Sequence, residues 1–455
     1  MTLERLAAAL GADGAVERVE VRELAYDARE VTPGALFFCV PGTRVDGHDF
    51  AADAVANGAV ALVVERRLDL AVPQVVVPDS RAAMAVAADE LYGRPTAELQ
   101  VAGVTGTSGK TTTAFLLYAI LAAAGRRPGL IGTVEARVGG ERRGVVRTTP
   151  EAIDLQRTFR EMLDAGDRSC AMEASSHASE LHRLDRVRFA VLVFTNLSQD
   201  HLDFHGDMES YFQAKRRLFT GQPAVVNVGN EYGRRLADEL GDAVTFTVDD
   251  AHLLDGVDLK LRGRFNVENA LGALLAARSL GIEDDAIKRG IESLRGVPGR
   301  FESVEEGQPF AVIVDYAHKP DALEKVLRAA RELAEGRRVI CVVGAGGDRD
   351  RSKRPLMGRI ASELADLAIV TSDNPRSEDP QAIIDEIVGG ATSDVEVEPD
   401  RAAAIARAVE AAREGDVVLI AGKGAEQGQQ FADRTIPFDD REAARDALRA
   451  LGART

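Results

Sequence analysis

One segment narrows the choice of folds more than any other. Gln100-Val-Ala-Gly-Val-Thr reads as a buried strand, Gly106-Thr-Ser-Gly109 as a glycine-rich turn, and the apolar-periodic stretch Lys110–Ala124 as a helix. A strand, a glycine-rich loop and a helix in that order let backbone N–H groups and a helix N-terminus cradle phosphates. Gly106, Thr107, Ser108, Gly109, Lys110, Thr111 and Thr112 are therefore expected around a nucleotide's phosphates, with Lys110 on the outer phosphates and Thr111 on a metal ion. The loop is a variant, because the strict spacing asks for glycine where Val104 stands. The flanking elements disfavour a turn that merely connects strand to helix.

At 455 residues the chain exceeds what one core organises, so two to four domains are expected. The stretch up to about residue 95 mixes short apolar runs (Ala35–Val40, Ala59–Val64, Gln74–Val77) with Pro-Gly turns and predicts a small α/β domain. A second boundary falls in the Gly- and Pro-rich join Leu294-Arg-Gly-Val-Pro-Gly-Arg300. Beyond it, apolar runs at Ala311–Val314, Val339–Val343, Leu367–Thr371 and Val417–Ala421 alternate with helical segments, which predicts a largely parallel, doubly wound sheet.

Charge excludes several partners. The formal net charge of -17 repels nucleic acid and anionic lipid, so an anionic ligand must be held by local cations and backbone amides. Cys39, Cys170 and Cys341 lie far apart, which argues against zinc or a disulfide scaffold and reads as core filling in a reducing compartment. The acidic N-terminus without a long apolar run, and apolar stretches as short as Phe189–Phe194, lead us to expect a cytoplasmic chain that neither crosses nor anchors to a membrane.

Other candidates stand at ends of predicted strands. Glu173 in Met-Glu-Ala-Ser-Ser-His177, and His201 in Gln-Asp-His-Leu-Asp-Phe-His205, follow apolar runs and could together hold Mg2+ beside a nucleotide. Taken singly, each is more often a solvated or hydrogen-bonded structural residue, and only the combination with the phosphate loop favours a metal role. Lys215 would lie about four helical turns after His201 if the intervening segment were helical, and spacing alone reads it as part of a solvated basic face. Asp373-Asn-Pro-Arg376 follows Leu367–Thr371, at the carboxyl end of a parallel strand where open sheets bind ligands, and Arg376 could grip a carboxylate with both nitrogens. A turn capped by Asp and Asn is the equally ready alternative there, and for Gly344–Arg349 and Ala421–Glu426.

Together and in order, these blocks resemble the Mur ligase family, and most closely its members that attach the third residue of the peptidoglycan stem peptide. The phosphate loop is joined by Asp27-Ala-Arg, Pro41-Gly-Thr-Arg-Val-Asp-Gly-His48, Thr148-Thr-Pro-Glu151, Met172–His177, Phe194–Gly206, Gly263-Arg-Phe-Asn-Val-Glu-Asn-Ala270, Val314-Asp-Tyr-Ala-His318, Gly346–Pro355 and Asp373–Arg376. The resemblance spans nearly the whole chain. It implies three domains: 1–96, an N-terminal α/β domain binding the uridine nucleotide; 97–297, a central P-loop ATPase domain with a mainly parallel sheet; and 298–455, a Rossmann-like domain bringing the amino acid.

The resemblance further implies an ATP- and Mg2+-dependent amide ligase acting through an acyl phosphate in peptidoglycan precursor synthesis, and hence in cell-wall biogenesis, cell shape and division. Residue by residue, Lys110 would stabilise the β- and γ-phosphates; Thr111, Glu173, His201 and an N-carbamylated Lys215 would serve the metal; Asn266, Arg300 and Asp315 would meet the base and ribose of ATP. The acceptor UDP-N-acetylmuramoyl-L-alanyl-D-glutamate would be met by Ala28, Thr43, Arg44, Val45, Thr148, Thr149, Ser175 and Arg183. Arg349, Asp373, Asn374, Pro375, Arg376, Gly422 and Glu426 would form the amino-acid site, and the Asp-Asn-Pro-Arg form resembles enzymes that select meso-diaminopimelate. Arg376 would pair with a distal carboxylate that lysine lacks; leaving it buried and unpaired would cost about 2 kcal/mol or more. A monomer with mobile domains is expected, since ligands at interdomain clefts commonly need closure.

Five positions depart from the family's usual pattern: Ala28 for serine, Ser108 for asparagine, Lys319 for threonine, Ala425 for histidine and Leu181 for a polar residue. Two alternatives follow. One is a sister ligase that adds L-lysine to the same acceptor or extends folate with glutamate, which the Thr148-Thr-Pro and Asp373–Arg376 blocks oppose. The other is a regulator that binds nucleotide without ligating, which the full set Lys110, Glu173, His201 and Lys215 opposes.

Overall fold

The structure, a computed structural model, describes residues 1–12, 18–42 and 45–453. Thr43 and Arg44, expected at the acceptor site, lie outside the described residues. No described helix is long and apolar enough to cross a membrane.

The first sheet is a small parallel one: β1 (Glu23–Ala25), β2 (Ala35–Phe38), β3 (Ala59–Val64) and β4 (Gln74–Val76), in that order across the sheet. β2 and β3 are continuous apolar runs because helices cover both faces. Leu36, Phe38, Ala61 and Val63 pack towards helices Leu3–Ala9 and Ser80–Leu91, while Phe37, Cys39 and Leu62 pack towards Ala51–Ala56 on the other face. The first of these cores also takes in Ala152 and Ile153 of helix Ala152–Asp164, which joins the N-terminal unit to the next.

The second sheet contains β5 (Gln100–Thr105), β6 (Pro128–Ile131), β7 (Ala136–Val138), β8 (Glu141–Arg143), β9 (Ser169–Glu173), β10 (Phe189–Phe194), β11 (Ala224–Asn227) and β12 (Val244–Phe246). Their order is β12-β11-β10-β5-β9-β6-β7-β8, parallel except for the hairpins that add β7 and β8 at one edge. β5 therefore lies between β9 and β10, and the loops leaving these three adjacent strands open at the same carboxyl edge.

The third sheet contains β13 (Glu302–Ser303), β14 (Ala311–Asp315), β15 (Val339–Val343), β16 (Leu367–Val370), β17 (Glu396–Val397) and β18 (Val417–Ala421), in the order β13-β14-β18-β15-β16-β17. Only β13 runs antiparallel. Helices Pro320–Leu333, Lys353–Leu364 and Pro380–Val388 bury one face and Arg401–Ala411 with Asp440–Gly452 the other, as the alternating pattern predicts for a doubly wound sheet. A short hairpin, β19 (Gly428–Gln430) and β20 (Thr435–Pro437), follows β18.

All three cysteines are buried and unbridged, which matches their reading as core residues. One reading fails. His201 and Lys215 are not on one helix: a single turn, Leu202–His205, ends at Gly206 with φ +83°, and a second helix, Met208–Arg216, starts afresh from Asp207, whose carboxylate caps Ser210 N. Gly206 and Asp207 are the stop and start signals that the spacing argument passed over.

Candidate active site

The carboxyl ends of β5, β9 and β10 deliver the phosphate loop, Glu173 and the segment Thr195–His201 to one place. Gly106 has φ +143°, and a Cβ there would stand 2.0 Å from Thr195 Oγ1, so the loop can pass under β10 only with glycine at that position. Asn196 locks the turn: its backbone carbonyl accepts from Thr107 N at 2.9 Å and its side-chain oxygen from Ser108 N at 2.9 Å. Those two amides are therefore spent within the protein. The amides left open to an anion are those of the first turn of helix Lys110–Ala123, which carries no side-chain cap.

Cations crowd this edge. Lys110 Nζ donates to the carbonyls of Gly106 and Thr107, both at 3.0 Å. Lys215 Nζ donates to the same Gly106 carbonyl at 2.9 Å and sits 4.6 Å from the Tyr211 ring centre. Lys215 is only 1% exposed, so the expectation of a solvated basic face is wrong: Tyr211, Phe212 and Ala214 are buried with it, and its helix lies against the sheet. Burial, and then the neighbouring Lys110 ammonium, hold Lys215 well below the usual lysine range. Burial also brings Lys110 down to about 8, with Glu173 opposing that shift.

Glu173 is itself 1% exposed, and its carboxylate accepts from Thr133 N at 2.7 Å and Thr133 Oγ1 at 3.1 Å. Four of the expected acceptor residues gather beside it. Thr149 Oγ1 donates to Glu173 O at 2.8 Å, Thr148 Oγ1 lies 3.0 Å from Thr133 Oγ1, Ser175 N donates to Thr149 Oγ1, and Arg183 donates to Thr149 O. Ala28 lies in the first unit, its side chain in that unit's core, and Val45 is exposed.

His201 has φ +54° and places Nε2 2.9 Å from Asp200 Oδ2. Among the described residues no three or more His, Cys, Asp or Glu side chains gather to hold a metal ion. Glu173 and Thr111 offer hard oxygens and His201 a nitrogen, a donor set that suits Mg2+ drawing its remaining ligands from phosphate and water.

The third unit closes the site. Arg300 Nη2 donates to Thr111 Oγ1 at 3.1 Å, with its guanidinium stacked 4.4 Å from the Tyr316 ring centre. Asp315 accepts from Phe301 N and Ala317 N, each at 2.7 Å, and burial raises its carboxyl against the pull of Arg300. Asn266 joins Arg262 O to Asn269, whose side-chain oxygen takes Thr113 Oγ1 at 3.4 Å, so the expected nucleotide residues flank the helix behind the loop.

A second cluster lies at the carboxyl ends of β16 and β18. Asn374 donates to Glu426 at 2.8 Å and accepts from Lys423 Nζ at 2.8 Å and Gln430 N at 2.9 Å. Gly422, at φ +126°, leaves room for Asp373, whose Oδ2 would be 2.6 Å from any Cβ there. Arg376 also has positive φ, +54°, and Nη1 donates to Gly347 O at 2.7 Å, while Pro375 is buried behind it. Arg349 lies exposed on the neighbouring Gly347–Arg349 bend. The structure therefore brings Asp373, Asn374, Arg376, Gly422 and Glu426 together, with Arg349 at the rim.

Sequence reasoning gave no role to Lys423, Asp200 or Thr133. Lys423 is wholly buried, and a lone lysine between glycines was its signal. Asp200 stands beside His201 in the quoted motif, whereas nothing in the sequence around Thr133 points to Glu173.

Family models match three stretches of the chain: "Mur ligase family, catalytic domain" over residues 20–92, "Mur ligase middle domain" over 104–253 and "Mur ligase, glutamate ligase domain" over 299–424. The chain is 48% identical to the UDP-N-acetylmuramoyl-L-alanyl-D-glutamate--2,6-diaminopimelate ligase of Solibacter usitatus, over 96% of this chain and 95% of that one. A solved structure of a ligase with the same name superposes with a TM-score of 0.65 at 31% identity, covering 95% of each chain. The MurF ligase of Thermotoga maritima in complex with ADP shares the fold, with a TM-score of 0.65 at 22% identity over 96% of this chain and 99% of that one.

Proposed function

The chain belongs to the Mur ligase family, and from that premise we infer that it joins meso-2,6-diaminopimelate to UDP-N-acetylmuramoyl-L-alanyl-D-glutamate at the expense of ATP, in peptidoglycan precursor synthesis. The observation that carries the reading is the meeting of an uncapped phosphate-loop helix, Lys110 and Glu173 with the Thr148–Thr149–Ser175–Arg183 group on one side and Arg300 on the other.

In this mechanism a carboxylate of the acceptor attacks the γ-phosphorus, the bond to the β-bridging oxygen breaks and ADP leaves. The amine then attacks the acyl phosphate, the amide forms and phosphate departs. Charge builds on transferring oxygens throughout, so fixed cations and positioning supply the rate. Lys110 and the first-turn amides hold the outer phosphates, Arg300 spans the seam, and Thr148, Thr149, Ser175 and Arg183 orient the acceptor's peptide end. Ala28, Thr43, Arg44 and Val45 take its nucleotide end, Asn266, Arg300 and Asp315 the base and ribose of ATP, and Arg349, Asp373, Asn374, Pro375, Arg376, Gly422 and Glu426 the amino acid. Residues 1–96, 97–297 and 298–455 serve as the acceptor, ATP and amino-acid domains of a cytoplasmic monomer.

Glu173, His201 and Thr111 would hold Mg2+, which would supply screening of phosphate charge. Lys110 and Lys215 both point at the Gly106 carbonyl, and carbamylation of Lys215 replaces that repulsion with an attractive pair. Its depressed basicity favours the unprotonated amine, the form that attacks CO2 with loss of a proton.

The test is phosphate release from ATP with the acceptor nucleotide and meso-diaminopimelate, L-lysine or no amino acid. Release with diaminopimelate alone is expected; release indifferent to the amino acid contradicts the reading.

A further inference from the structure

The contact between the second and third units passes through one short ion pair outside the groups already assigned. Lys319, at the N-terminus of helix Pro320–Leu333, places Nζ 2.6 Å from Asp200 Oδ2, with side chains only 11% and 13% exposed. The same oxygen lies 2.9 Å from His201 Nε2, so Lys319 and His201 share one acceptor. A second cross-unit bond, Ser198 Oγ to Asp321 Oδ2 at 3.1 Å, lies beside it. Lys353 Nζ donates to His318 O at 3.0 Å and braces the segment that carries Lys319.

We propose that Lys319 is a positioning residue for the ligation reaction: by engaging Asp200 when the amino-acid unit closes on the ATP unit, it competes for the oxygen that ties up His201 and so couples closure to a His201 ready for its ligand. The proposal rests on the ligase reading above. Two donors on one carboxylate oxygen weaken each other, so seating Lys319 loosens the hold on His201 Nε2. A nearly buried ammonium lacking its carboxylate is costly, which makes the open arrangement, rather than the closed one, the state that leaves Lys319 in water.

The experiment compares the parent chain with Lys319→Thr and Lys319→Arg, reading small-angle scattering with a non-hydrolysable ATP analogue plus acceptor nucleotide, and steady-state turnover in the same preparations. Lys319→Thr is expected to lose most of the ligand-induced contraction and about tenfold in kcat, with KM for the acceptor within twofold. Lys319→Arg, still cationic at that seam, is expected to recover most of both. Contraction and kcat of Lys319→Thr equal to the parent's overturn the proposal, as does a kcat loss that Lys319→Arg does not relieve. Parent turnover in the same assay keeps the ligase reading separate: if the parent releases phosphate and only the variants behave otherwise than stated, Lys319 alone is misassigned.

Discussion

The phosphate site and the amino-acid pocket use the same residue types with opposite charge balance. Around the phosphate loop of the unmodified chain Lys110, Lys319 and Arg300 face Glu173 and Asp200, a surplus of positive charge held partly by backbone carbonyls. In the pocket Lys423 meets Glu426 at 3.3 Å and Asn374 bridges the two, with Asp373 and Arg376 on the same loop as Asn374. The first is built to receive an anion, the second a zwitterion, and ATP and diaminopimelate are respectively such molecules. Burial makes the imbalance matter, because a desolvated cation without a counter-charge costs several kcal/mol that a bound phosphate returns.

Removing a cation from each region tests that contrast. Lys110→Met should lower kcat by about a thousandfold or more, since it removes the side-chain cation assigned to the outer phosphates, while the melting temperature stays level or rises as a buried charge is lost. Activity assay and thermal melting check it; a large loss of stability would mean the surplus is not real. Arg376→Lys should cut kcat/KM for diaminopimelate by about a hundredfold with KM for ATP within twofold, because one ammonium cannot reproduce a two-nitrogen grip. Equal losses for both substrates would erase the distinction between the regions. Lys423→Met should raise KM for diaminopimelate about tenfold by leaving Asn374 and Glu426 without their shared cation, again with little effect on ATP.

The smallest effect is in pH. Lys110 in the free protein titrates at about 8, and phosphate favours its charged form. ATP affinity should therefore be level below that value and weaken above it, by at most about tenfold per pH unit. Calorimetry in buffers of different ionisation enthalpy would show proton uptake above pH 8; none would mean that Lys110 stays charged in the empty site.

The two regions also differ in how far the sequence revealed them. The phosphate loop was legible because a strand, a glycine turn and a helix are consecutive, and Gly106 and Lys110 stand where that geometry requires. The alternating runs after residue 310 revealed the third sheet for the same local reason. Lys215 was misread because its burial comes from packing of helix Met208–Arg216 on the sheet, a long-range contact with no trace in charge spacing. Lys319 and Asp200 are 119 residues apart and meet only when two units close, so sequence gave a substitution but no partner. Thr133 reaches Glu173 across 40 residues from a loop without a motif.

The central claim is that the pocket of Asp373, Asn374, Arg376, Lys423 and Glu426 receives diaminopimelate while the lysine-rich edge receives ATP. Its most direct test offers the protein equal meso-diaminopimelate and L-lysine in one reaction with ATP and UDP-N-acetylmuramoyl-L-alanyl-D-glutamate, and weighs the product by mass spectrometry. The account predicts the diaminopimelate tripeptide nucleotide almost alone; a mixture near parity, or the lysine product in excess, would contradict it.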